Sequence, residues 1–124
     1  MTTYVILLPG DESTWEAATQ ADRAAVYAEH ERFSRTLEER GHRIVGGAEL
    51  AHSREARVVR GGDDGPVVSD GPYAETVEQL SGFYLVESED LDDLARACGI
   101  LATSGGAVEI RACLAAPDQP GDGA

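Results

Sequence analysis

The sequence predicts an α+β domain: a ferredoxin-like βαββαβ protomer carrying an inserted β-hairpin. Three observations predict it. Short apolar, β-prone runs recur along the chain, two longer stretches switch to helical periodicity, and the resulting order reads β-α-β-β-β-α-β, the split βαβ plan with one extra hairpin in the middle.

Tyr4 to Leu8 is a continuous β-prone run closed by Pro9-Gly10, the mark of a strand apolar on both faces. Asp11 to Gln20 reads as a polar connection holding the sole tryptophan, Trp15. From Ala21 to Arg40, Val26, His30, Phe33 and Leu37 recur at spacings of four, three and four, so a helix is expected there with Gly41 as its stop. Ile44 and Val45 open a second strand that runs into Gly46-Gly47, a pair that suggests a bulge or a close backbone approach. Ala56 to Arg60, the turn cluster Gly61 to Gly65, and Val67-Val68 make the hairpin.

Gly82 to Glu87 is a strand as apolar as the first. Ser88 or Asp90 can cap the next helix, in which Leu91, Leu94, Ala95, Cys98 and Leu101 are expected on one face and the acidic residues sit at the positive N-terminal end. Gly105-Gly106 is the expected close of that helix. Ala107 to Leu114 is the last strand, with Val108, Ile110 and Leu114 on one side. The domain is thus expected over residues 1–115, with a polar, Pro/Gly-rich and disordered tail over 116–124.

Two helices cover one face of an open sheet. Yet both main strands are apolar on both faces, so the second face requires a cover. A second copy packed sheet to sheet about a two-fold axis supplies one, and the expected assembly is a homodimer enclosing a barrel-like core, a dimeric α+β barrel.

A chain of 124 residues with 42% hydrophobic and 27% charged content is one globular domain. Its formal charge of −13 arises from 23 acidic against 10 basic residues, all of them arginine. Such a surface repels phosphate backbones and anionic membranes, so neither nucleic acid nor membrane is an expected partner. Solubility accounts for the excess, and a basic protein partner is compatible with it. Cys98 and Cys113 lack CxxC spacing and a histidine nearby in sequence, so no metal or redox cofactor is expected. No signal-peptide pattern opens the chain and no apolar run nears the ~20 residues that cross a bilayer, which makes a cytoplasmic location the expectation.

Two features bear on chemistry. His30 lies on the apolar seam of the first helix, where it is either a structural histidine bonded to a carbonyl or a proton-transfer group with a pKa near ~6.5. His42 and His52 fall in connecting segments and read as solvated. The run from Asp70 to Glu78 joins turn chemistry, Asp-Gly-Pro, to an aromatic residue, a threonine and two glutamates, with Gln79 following; loops of this kind on a sheet are frequent binding elements. Neither a serine nor a cysteine is placed beside a histidine in a way that suggests a nucleophile, and no phosphate-binding glycine loop opens a helix, which sets aside triad hydrolases and nucleotide enzymes.

This run, DGPYAETVE, resembles the DGPFAETKE signature of the DGPF branch of the YCII-related family, with Tyr73 and Val77 at the two differing positions. The continuation Leu80-Ser81-Gly82-Phe83-Tyr84-Leu85, the acidic helix and the strand ending Val108-Glu109-Ile110-Arg111 follow the same pattern. The resemblance implies a dimeric α+β barrel and a polar histidine–aspartate dyad in a pocket, for which His30 and Asp70 are the candidate catalytic residues. In such a pocket the carboxylate would orient the imidazole and raise its pKa. Tyr27 and Tyr73 would supply an aromatic wall, and Glu75 and Gln79 polar contacts to a small-molecule ligand. Two functions follow: cofactor-independent proton transfer on a small aromatic or carbonyl compound, or a non-catalytic binding or regulatory module such as an accessory protein of a sigma factor.

Overall fold

A computed structural model describes residues 1–102 and 106–115. The element order is β1 (Thr2–Asp11), α1 (Glu12–Ala17), α2 (Gln20–Glu39), β2 (Arg43–Glu49), a 3₁₀ turn (Ser53–Glu55), β3 (Arg57–Gly62), β4 (Gly65–Asp70), β5 (Glu78–Ser88), α3 (Leu91–Cys98) and β6 (Glu109–Ala112). Four strands form one antiparallel sheet in the order β2-β5-β1-β6, which is consistent with a ferredoxin-like fold, while among the described residues β3 and β4 pair only with each other.

The strand pleat sorts the sheet residues. Ile6 and Val86 are fully buried, and Tyr4, Leu8, Ile44, Tyr84 and Ile110 pack around them against Phe33 and Leu37 of α2 and Leu94, Ala97 and Cys98 of α3. The intervening residues Val5, Leu7, Phe83 and Leu85 therefore point to the opposite face, where they are only half-buried. Both helices lie on the Ile6 side.

Several local expectations are corrected. β1 does not end at Pro9-Gly10 but continues to Asp11 across a bulge between Leu8 and Pro9. The missing proline N–H falls beyond the reach of β6, which pairs β1 only from Tyr4 to Leu7, so no ladder bond is lost on that side. The polar connection after β1 contains a helix, α1, started by the Asp11 carboxylate, which accepts from the Ser13 and Thr14 amides. β5 starts at Glu78, four residues before Gly82, because the continued β1 offers it Asp11, Gly10 and Pro9 as partners.

The buried face of α3 is Leu94, Ala97 and Cys98; Ala95 and Leu91 are exposed. The helix stops at Gly99 rather than at Gly105-Gly106, of which Gly105 lies outside the described residues, as does the tail 116–124. The glycine pair in β2 does mark a bulge, and Gly47 runs at φ +144° with its Cα side pressed on β5. Gly41, at φ +82°, ends α2 as expected, with the His42 amide donating to the Leu37 carbonyl at 2.9 Å.

Candidate functional site

The sequence elements that carry chemistry separate into two places. The first lies where α2 crosses β2 and β5. Helical spacing puts Tyr27 and His30 three residues apart on one side of α2. Tyr84 rises from β5 beneath them, its ring 5.3 Å from Phe33 and stacked at 5.8 Å on the His30 imidazole. His30 Nδ1 and the Tyr84 hydroxyl are 2.7 Å apart. Glu49, the last residue of β2, accepts the Tyr27 hydroxyl at 3.1 Å on both carboxylate oxygens. Trp15 of α1 meets Tyr27 edge to face at 5.8 Å, and the Arg23 guanidinium covers the indole at 5.1 Å.

Burial governs the electrostatics here. It pushes the His30 pKa below the ordinary histidine value, only partly offset by the Glu29 and Glu49 charges. It also raises Tyr84. Tyr27 is raised chiefly because its hydroxyl is held by Glu49. His30 is thus held toward its neutral form, beside a phenol that keeps its proton.

The second place is the Asp70 to Glu78 segment. Asp70 ends β4 with its side chain 84% exposed and pairs with Arg57 across the hairpin at 3.5 Å. The chain then turns through Gly71, whose amide donates to the Ala56 carbonyl, and a cis bond to Pro72. A side chain at Gly71 would meet Ala56 Cβ at 2.8 Å, so glycine is required for the close approach. Tyr73 is 83% exposed and lies under the Arg60 guanidinium, and Glu75 is exposed. Gln79 points inward along the loop, its Nε2 donating to the Ala74 carbonyl at 2.8 Å and the Thr76 carbonyl at 3.2 Å.

Within the chain, His30 is thus hydrogen-bonded to Tyr84 and Asp70 is ion-paired with Arg57. Tyr27 stands beside His30; Tyr73 and Glu75 stand on the hairpin side, and Gln79 holds the loop shape. Tyr84 and Glu49 were missed by sequence reasoning. The signal for Tyr84 was the pleat: it alternates with Phe83 and Leu85 and so shares the helix-covered face with Val86. Nothing in the local sequence marks Glu49, which reaches Tyr27 only because β2 ends beneath α2.

Of the other two histidines, His42 is not solvated as expected, while His52 is partly exposed. His42 is 6% exposed and bridges three elements: its Nδ1 lies 2.8 Å from Ser88 Oγ at the end of β5, and its Nε2–H donates at 2.8 Å to Asp93 of α3. A serine does therefore meet a histidine and an aspartate. Ser88 is only 1% exposed, however, and its hydroxyl also accepts from the Asp90 amide and donates to the Asp90 carbonyl, so no substrate reaches it. This is a structural clamp, and the triad hydrolase remains set aside for a different reason from the one read in the sequence. His52 caps the 3₁₀ turn and lies 3.0 Å from Glu16, while Glu12 accepts both the amide and the hydroxyl of Ser53.

A cavity of about 320 Å³ opens beside this turn, lined by Leu50, His52, Ala56, Gln79 and Leu80 among others. A second, of about 280 Å³, lies between Ser34, Glu38, His42, Arg43 and Ile44. Among the described residues, no three or more His, Cys, Asp or Glu side chains are arranged to hold a metal ion. Burial lifts the Cys98 thiol to about 11, so it stays protonated and unreactive at neutral pH. No helix among the described residues is long and apolar enough to cross a membrane.

The sheet order and the helix-borne histidine define a small α+β protein with a polar site between its first long helix and its sheet. The YCII-related domain matches residues 2–114, and the chain belongs to the YCII-related family. It is 33% identical over 111 residues to an uncharacterised protein of Rhizobium meliloti, with 87% of this chain and 89% of that protein covered.

Proposed function

We propose that this YCII-related protein is a homodimer of the DGPF branch that binds a small aromatic or carbonyl compound beside His30 and catalyses proton transfer on it without a cofactor. The observation that carries this reading is the half-buried imidazole held at 2.7 Å by the Tyr84 hydroxyl, with its pKa lowered by desolvation. A neutral, oriented imidazole is a competent proton-transfer group near neutral pH. Tyr27, three residues before His30 on the same side of α2, provides a flat ring next to it and is itself packed edge to face on Trp15.

The branch assignment is supported by the motif at Asp70 to Glu78, identical to the signature at seven of nine positions. The dimer is supported by the open sheet face, where Val5, Leu7, Phe83 and Leu85 are half-buried and Val45 is exposed on one chain. Leaving such a patch in water is unfavourable, and a two-fold copy of the same face is its natural complement.

The test is solvent exchange. Small aryl ketones incubated in D₂O with the protein should gain deuterium at the carbon beside the carbonyl, and His30→Ala should slow this by roughly 100-fold or more. Equal incorporation by the variant and the parent, with unchanged circular dichroism, removes His30 from the chemistry.

A further inference from the structure

We propose that Tyr84 is a positioning residue that locks His30 in one tautomer, so that the site offers an N–H donor from Nε2 to the oxygen of a neutral carbonyl compound. The proposal deepens the reading of the His30 site given above and rests on it.

Hydrogen-bond capacity fixes the tautomer. The Tyr84 hydroxyl has one proton to give, and among the described residues its one hydrogen-bond partner is His30 Nδ1. If Nδ1 carried a proton and donated to the phenol oxygen, the phenol proton would be left without a protein acceptor in a desolvated setting, which is unfavourable. The satisfied arrangement has the Tyr84 O–H donating into the Nδ1 lone pair. A neutral imidazole has a single N–H, which then sits on Nε2. The opposite ring directions taken by the two pKa values, His30 lowered and Tyr84 raised, keep both groups in the protonation states this bond needs.

Nε2 has no hydrogen-bond partner among the described residues. Nor is it sealed from solvent, since the buried side-chain nitrogen or oxygen without a partner in that set is Arg23 Nε. A partly exposed N–H donor next to Tyr27 selects an acceptor atom on a flat molecule. Glu29 and Glu49 decide its charge: both carboxylates act on His30, and Glu49 is fixed within the cluster by Tyr27. A ligand carboxylate or phosphate would enter against that negative field, whereas a neutral carbonyl oxygen would not. His30 therefore approaches the ligand as a hydrogen-bond donor that polarises the carbonyl: in the exchange reaction the proton on the adjacent carbon passes to solvent water while Nε2–H stabilises the enolate oxygen, whereas a carboxylate partner on Nδ1 would have created a free-lone-pair base.

The experiment is nitrogen-detected NMR of the full chain labelled with ¹⁵N-histidine, held at about pH 8, above the ordinary histidine value, with His30→Gln used to assign the signals. The expected spectrum shows a bare Nδ1 and a protonated Nε2 for His30. In Tyr84→Phe, which keeps the ring packed on Phe33, that single tautomer should be lost and the His30 titration midpoint should move up. A protonated Nδ1 in the parent, or a tautomer and midpoint unchanged in Tyr84→Phe, overturns the positioning role. Acetophenone and benzoate are then titrated separately; acetophenone should shift the Nε2–H signal and benzoate should leave it in place. A shift by benzoate alone, or by neither probe, overturns the ligand class. Loss of solvent exchange on His30→Ala bears on the proton-transfer reading separately, because the tautomer is read with no ligand present.

Discussion

Gly47 shows how much one residue decides. At φ +144° it occupies backbone space that side chains rarely adopt, and a Cβ there would stand 2.5 Å from the Phe83 carbonyl oxygen. Gly47→Ala must either push β2 off β5 or distort the bulge that sets where Glu49 emerges. It should destabilise the protein by roughly 1–3 kcal/mol, read as a lower midpoint in urea unfolding, and weaken the Tyr27–Glu49 contact; an unchanged midpoint would mean that the strands relax freely around the bulge. The need for glycine was legible in the Gly46-Gly47 pair. The place of His30 was legible too, since its spacing from Val26 and Phe33 sets it on the inner side of the helix. Its partner was not, because a histidine on such a seam accepts any hydroxyl or carboxylate that the sheet brings beneath it.

At the scale of elements, the ends of α2, β5 and α3 are tied by His42, Ser88 and Asp93, with Arg40 and Arg96 also paired to Asp93. The His42 hydrogen bond, followed by the Arg40, His42 and Arg96 charges, lowers the Asp93 pKa from 3.8, against some desolvation. A carboxylate depressed in the folded state contributes stability that is complete above its unfolded value and disappears as pH falls through the folded one. The parent should therefore lose stability on acidification below about pH 4 more steeply than Asp93→Asn does, the two being compared by urea unfolding across that range. Parallel pH curves for the two proteins would show that the clamp contributes nothing through this charge. Its place just after the Gly41 stop suggests a solvated connection for His42. The short return from helix to strand instead turns its side chain into the junction, which local sequence does not reveal. Helix α1 was overlooked for a related reason: its six residues carry no apolar period, and only the Asp11 cap announces it.

For the whole molecule, the decisive feature is a sheet with one covered and one open face. In the proposed dimer the open face is the contact, so a charge at its centre should split the assembly. Leu85→Asp should move the mass seen by light scattering from two chains to one, while circular dichroism keeps the α+β signature. A parent protein that scatters as a single chain at micromolar concentration would end the dimer proposal. The hairpin β3–β4 belongs to the same question. Among the described residues it pairs only with itself, and Val59, Val67 and Val68 are exposed on it, a poor arrangement for an isolated two-stranded ribbon in water.

The sequence by itself determined the order of the strands and of helices α2 and α3, the place of α2, the glycine bulge in β2 and the YCII-related membership, because periodicity, turn chemistry and short motifs are properties of neighbours along the chain. The tertiary structure alone decided that His30 faces Tyr84 and that Asp70 faces Arg57, that Gln79 holds its loop, and that His42 is a clamp. Those pairings depend on strand register and on the angle at which α2 crosses the sheet, and both are set by packing between residues distant in sequence.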